Sequence, residues 1–147
     1  MSACRQRVTL ITLGVDDLDR AREFYRKWGW QPHPQSQDSV VFYQMNGAVL
    51  GLFGRAELAK DQGRPDAVLG TGAMTLAQNC PDNAQTDAVF QAAIDAGAKC
   101  LKRPESVFWG GYSGYFADPD GHVWEIATNP FWPLDDDGGL TLPEASD

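Results

Sequence analysis

Apolar residues along this chain keep two rhythms in turn. Val8 to Leu13 is a run of β-formers, and "DDLDRAREFYRKWGW" follows it. There Leu18, Ala21, Phe24, Tyr25 and Trp28 recur at the three-and-four spacing of one helix face. Asp16 or Asp17 stands where a cap is needed, and Gly29 stands where a helix stops. "SVVFYQMNGAVLGLFG" places β-formers on both sides of Asn46-Gly47 and predicts a hairpin turning there. "RAELAKDQGRPD" predicts a short helical piece and a linker.

The same order then returns. "GAMTLAQNC" predicts a strand. "PDNAQTDAVFQAAIDAGAKC" predicts a capped helix with Ala88, Phe90, Ala92 and Ile94 as apolar positions and Gly97 as its stop. A short strand is expected near Lys99 to Lys102. Two more, Gly114 to Ala117 and His122 to Ala127, are joined by Asp118-Pro119-Asp120-Gly121. Pro at the second position and Gly at the end suit a type I turn with a left-handed exit. Each half reads as strand, helix, then about three strands, a repeat of elements rather than of letters. The chain is expected to be a single domain, with module one at about 7–66, module two at about 67–130 and a tail at 131–147. Phe131, Trp132 and Leu134 are expected to pin the start of the tail, and its end is expected to fray.

Composition narrows the function. Of 147 residues, 43% are hydrophobic and 22% charged, as in globular proteins. A net charge of -8 argues against nucleic acid and anionic membranes, which need clustered Lys and Arg, and favours a neutral or cationic partner. No apolar run is long enough to span a membrane. The start, "MSACRQRVTL", lacks an apolar signal core, so export is not expected. Cys4, Cys80 and Cys100 are odd in number and form no CxxC, which fits reduced thiols in a cytoplasm.

The opening "VTLITLGVDDLDRAREFY", the closing "GYFADPDGHVWEI" and the order of elements between them resemble the vicinal oxygen chelate superfamily. That superfamily holds glyoxalase I, extradiol dioxygenases, fosfomycin-resistance enzymes and bleomycin-resistance proteins. The resemblance covers roughly residues 7 to 130. It implies an α+β fold in which two βαβββ modules build a curved mixed sheet around a cleft, usually within a homodimer. It also implies four metal-ligand positions on strands facing the cleft, near Leu10, Gly51, Ala73 and Glu125. Only Glu125 offers a donor, whereas zinc or iron(II) needs about three protein ligands. A shift of one residue brings in Thr9, Ile11, Leu50, Leu52, Gly72 or Met74, none of them better than a weak ligand. His33 sits in a Pro-rich loop. His122 lies three residues before Glu125 and so on the opposite face of a strand. Neither a metal nor another cofactor is expected.

Alternation puts Trp124 and Ile126 toward the core and Val123, Glu125 and Ala127 toward the cleft. Leu10, Thr12, Val49, Gly51, Phe53, Ala73, Thr75 and Ala77 are expected on the same side, with Tyr115 near Glu125. A carboxylate in an apolar cleft must pair, hydrogen-bond or take up a proton. Glu125 can therefore be a strand residue satisfied by Tyr or backbone donors, a binding charge, or a general acid or base. "FWGGYSGY" bends at Gly110, Gly111 and Gly114. It either returns Trp109, Tyr112 and Tyr115 to the core or lines the cleft with them. The expected ligand contacts are Leu10, Phe53, Thr75, Trp109, Tyr112, Tyr115 and Glu125, and Glu125 is also the catalytic candidate.

Other motifs carry less. Asp135, Asp137, Gly138 and Glu144 have calcium-loop offsets, but Pro133 fills the first ligand position. Ser106 and Ser113 have no histidine in a triad context. Asp19, Arg20, Glu23, Arg26 and Lys27 on the first helix read as a solvated face, and so do Arg55, Glu57 and Lys60 on the short one. The resulting expectation is a cytoplasmic homodimer that binds an aromatic or cationic small molecule without metal, similar to the bleomycin-resistance branch. The alternative is a glyoxalase-like lyase or isomerase using Glu125 as general base or as a metal ligand.

Overall fold

A computed structural model describes residues 4–145. Strand β1 (Leu10–Val15) leads into α1 (Leu18–Trp28). Extended Asp17 caps the helix by accepting from Arg20 N at 3.0 Å, and Gly29 ends it in the left-handed region, φ 115°. Its predicted face is the buried one: Ala21, Phe24, Tyr25 and Trp28. Strands β2 (Val40–Gln44) and β3 (Val49–Gly54) form the hairpin, and β1 runs parallel to β3, giving the order β1-β3-β2. Helix α2 (Arg55–Asp61) follows directly.

The second half repeats this plan. Strand β4 (Thr75–Asn79) precedes α3 (Asn83–Asp95), then β5 (Lys99–Ser106), β6 (Tyr112–Ala117) and β7 (Val123–Thr128). The sheet order is β4-β7-β6-β5, with β4 parallel to β7. The protein is α+β, built on two mixed sheets.

Several expectations need correction. β5 runs on to Ser106 instead of ending near Lys102, as an almost wholly exposed edge strand with register shifts between Cys100 and Glu105. Such a strand has no apolar alternation to announce it. The first half has two strands after its helix rather than three, and only a single bridge, Gln37 to Val40, precedes β2. Helix α3 buries Thr86, Phe90 and Ala93, whereas Ala88 is exposed; the every-second-residue spacing of Ala88, Phe90, Ala92 and Ile94 is not one helix face. Phe131 and Trp132 stay 63% and 40% exposed, so they do not bury the start of the tail. The extreme end expected to fray, 146–147, lies outside the described residues.

A single apolar cluster draws on both halves, from Leu13, Phe24 and Leu52 to Phe90, Phe116 and Trp124. Within it Trp28 stacks on Trp30, with centroids 5.5 Å apart, and donates from Nε1 to Val89 O on α3 at 3.1 Å. α1 and α3 pack on the core side of the sheets, and α2 covers the Gly14 end of the other side, where a Cβ on Gly14 would meet Arg55 Cγ at 3.0 Å and Leu58 Cδ2 at 3.2 Å; Leu10, Thr75 and Ala77 stay exposed on that side.

The β6–β7 turn clasps the halves together. Its Gly121 takes φ 94° and donates to Asp118 O at 2.9 Å, as a type I turn with a left-handed exit requires. Buried Asp118 accepts from Tyr25 OH (2.7 Å), Asp120 N (3.0 Å) and His122 N (2.9 Å). Asp120 Oδ1 accepts from Asp16 N and from Arg20 Nη2, both at 2.8 Å. Arg55 donates to Asp120 O (2.6 Å) and Gly14 O (3.2 Å). His122 Nε2 donates to Gly14 O at 2.7 Å. Arg20 and Arg55 are thus cross-module ties and not merely solvated charges. Among the described residues no helix is long and apolar enough to cross a membrane.

Candidate functional site

The open face of the first sheet is apolar because of its register. β1 and β3 present Leu10, Thr12, Val49, Gly51 and Phe53, and the hairpin sets Phe42 opposite Gly51. The Phe42 ring lies over that glycine. A Cβ at Gly51 would stand 3.5 Å from Phe42 Cδ1 and Cε1 and 3.6 Å from Leu10 Cδ1. Two positions where the resemblance implies metal ligands are therefore joined in a hydrocarbon surface. A pocket of about 340 Å³ opens on it, lined by Thr9, Leu10, His33, Phe42, Gln44 and Val49 among others. His33 Nδ1 accepts from Gln35 N at 3.0 Å.

On the second sheet, Glu125 of β7 pairs across to Tyr115 of β6 and Ala77 of β4. It is half-buried. Tyr115 OH donates to Glu125 Oε2 at 3.1 Å, and Oε1 carries no hydrogen bond among the described residues. Burial, and then the charge of Glu125, raise the Tyr115 phenol above its usual value of 10.0, so the phenol stays a donor. Thr75 stands exposed on the same face.

The structure sorts the expected contacts into two groups. Leu10, Phe53, Thr75, Tyr115 and Glu125 belong to the open faces of the sheets. Tyr112 does not: it faces α3 and donates to Asp87 Oδ1 at 2.6 Å. It lies three residues from Tyr115, and strand alternation turns the two to opposite sides. Trp109 sits in the β5–β6 loop, folded over Gly111 so closely that a Cβ there would meet its ring at 1.8 Å. The start of β6 beside this loop pairs with Thr128, about 10 Å along the strand from Glu125. Ala73 precedes β4 and so holds no strand position.

The residues present do not fit a metal of the kind the resemblance implies. Leu10, Gly51 and Ala73 have no donor side chain. Among the described residues no three His, Cys, Asp or Glu side chains gather where they could hold an ion. His122 spends Nε2 on Gly14 O. Phe42 and His33 are the site residues that sequence reasoning missed. Phe42 was within reach, being as far before the Asn46-Gly47 turn as Gly51 is after it. His33 gave no such signal, because a loop residue has no register.

The profile of the Glyoxalase/Bleomycin resistance protein/Dioxygenase superfamily matches residues 7–126. An uncharacterized protein from Mycobacterium bovis is 30% identical over 121 residues, covering 78% of each chain. Metallothiol transferase FosB from Shouchella clausii is 26% identical over 119 residues, 80% of this chain and 77% of that one. Among solved structures, a glyoxalase-related enzyme from Fulvimarina pelagi is 39% identical with a TM-score of 0.88, covering 95% of this chain and 100% of that one. The chain belongs to the Glyoxalase/Bleomycin resistance protein/Dioxygenase superfamily.

Proposed function

We propose that this protein binds a small aromatic or cationic organic molecule on the open face of its sheets, without a metal. One observation carries the reading: Phe42 and Leu10 pack over Gly51 where ligating side chains would be needed, while Glu125 on the second sheet supplies a carboxylate. The apolar face of the first sheet and the carboxylate and phenol on the second would together suit a flat ligand bearing a positive or hydrogen-bonding group. The chain is similar to a metallothiol transferase and a glyoxalase-related enzyme, but among the described residues no three His, Cys, Asp or Glu side chains gather, which supports the metal-free reading. The same reading takes the protein to be a cytoplasmic homodimer. Leu10, at 46% exposure, belongs to apolar surface that a second copy would close over, with the ligand held between the two chains.

A second reading rests on Glu125 Oε1, which is left uncommitted by the Tyr115 hydrogen bond. A carboxylate so placed can take a proton from a carbon acid, which would make the protein a cofactor-free lyase or isomerase. Screening aromatic amines and neutral aromatics by thermal shift in chelator, followed by product analysis of every hit, separates the two. Stabilisation with the compound recovered unchanged supports binding. Turnover in chelator moves the assignment to the enzyme. Hits that appear only after zinc or manganese is added overturn the metal-free reading.

A further inference from the structure

We propose that the junction between the modules, where the open face continues through Thr12 and Val123 to α2, holds a second site, which takes a small organic carboxylate with an apolar body. A cavity of about 500 Å³ opens there between β1, α2, the 62–74 linker and the start of β7. It is within the size range of small-molecule pockets. No Asp or Glu lines it, although the chain holds 20 acidic residues against 12 basic ones. Arg55, Arg64 and His122 do line it. Of the two guanidiniums Arg55 is ion-paired with Asp16 at 3.5 Å, so Arg64 brings the net positive charge, the opposite of the charge offered by Glu125.

The three basic side chains are held in place by their own bonds. Arg55 is anchored through Nε to Gly14 O and through Nη2 to Asp120 O, while Nη1 lies 3.5 Å from Asp16 Oδ2 at the surface. A guanidinium has five N–H donors, so donors remain after these bonds. Arg64 turns both Nε and Nη2 onto Gln62 Oε1, leaving Nη1 without a protein partner among the described residues. His122 gives Nε2–H to Gly14 O, and its Nδ1 has no protein partner among the described residues. The Nη N–H groups left over are charged donors that a carboxylate can accept from.

The rest of the lining is largely hydrocarbon, with Thr12, Gln62 and Thr71 as its polar members. Leu58, Leu69 and Leu76 form part of the wall. At the mouth, Val68 is 98% exposed and Met74 52%, apolar surface with nothing over it in the chain. Cations beside uncovered hydrocarbon select an amphiphilic anion over a bare inorganic one.

The test titrates isotopically labelled protein with hexanoate, hexanol and inorganic phosphate, following backbone amide shifts. Hexanoate should shift the amides of Gly70 to Met74 and of His122 in one saturable process at millimolar concentration. Hexanol and phosphate should each bind at least about tenfold more weakly. Arg64→Gln, at an exposed position that leaves the fold intact, should weaken hexanoate by about five- to tenfold and leave hexanol unchanged. Hexanoate that fails to saturate below about 50 mM overturns the proposal. So do equal affinities for hexanoate and hexanol, shifts centred on Tyr115 and Glu125, or an Arg64→Gln variant that binds like the parent. Because the probe is an anion and the readout is local, failure here leaves the Glu125 reading untouched, and failure there leaves this one.

Discussion

Tyr43 ends in a buried hydroxyl with no hydrogen-bond partner among the described residues. Burial raises its phenol to about 12. Removing an unsatisfied polar atom while keeping the ring relieves a desolvation cost, so Tyr43→Phe should hold or raise stability, by up to about 1 kcal/mol. Urea unfolding checks this, and a loss of more than about 1 kcal/mol would show that the hydroxyl has a partner. Tyr25 is raised as well, first by burial and then by the charge of Asp118. Both phenols have folded values above their unfolded value of about 10, so the native state keeps protons that the unfolded chain releases. Their contribution is fully present below about pH 10 and is lost as pH rises through the folded values. The urea midpoint should fall from about pH 10 upward to about pH 12, and Tyr43→Phe should flatten part of that fall.

At the scale of the element, the Asp118-to-His122 turn makes the two halves one body. Asp118→Ala removes the acceptor of three donors in a buried place. It should cost about 3 kcal/mol or more, well beyond an ordinary surface substitution. Thermal unfolding tests this, and a cost under about 1 kcal/mol would mean that the turn does not hold the modules together. This element also shows where sequence reasoning succeeds. A Pro and a Gly at fixed offsets specify a turn locally, and Asp17 and Gly29 bound a helix locally. Arg20 and Arg55 looked like solvent charges because the atoms that receive them, Asp120 Oδ1, Asp120 O and Gly14 O, arrive from far along the chain. The face of Tyr112 was legible by counting three residues to Tyr115. The ring of Phe42 over Gly51 needed the register of the hairpin applied to the site. β5 was not legible beyond its first residues, since an exposed edge strand needs no apolar face.

For the whole molecule, the open faces of both sheets and the exposed Leu10 predict a homodimer burying at least roughly 1,000 Å², the threshold for a specific interface. Sedimentation at micromolar concentration should give twice the 16.1 kDa chain mass, and a monomer would contradict it. We propose that an apolar face and one carboxylate, without a metal, select the ligand. Calorimetric titration of benzylamine and benzyl alcohol in chelator, on the parent and on Glu125→Gln, tests that most directly. One site per chain that prefers the amine is expected. Glu125→Gln should lose about 1–3 kcal/mol for benzylamine, roughly 5- to 150-fold in affinity, and far less for the alcohol. Equal losses for the two compounds, no loss for either, or binding that appears only when a divalent metal is restored would contradict it.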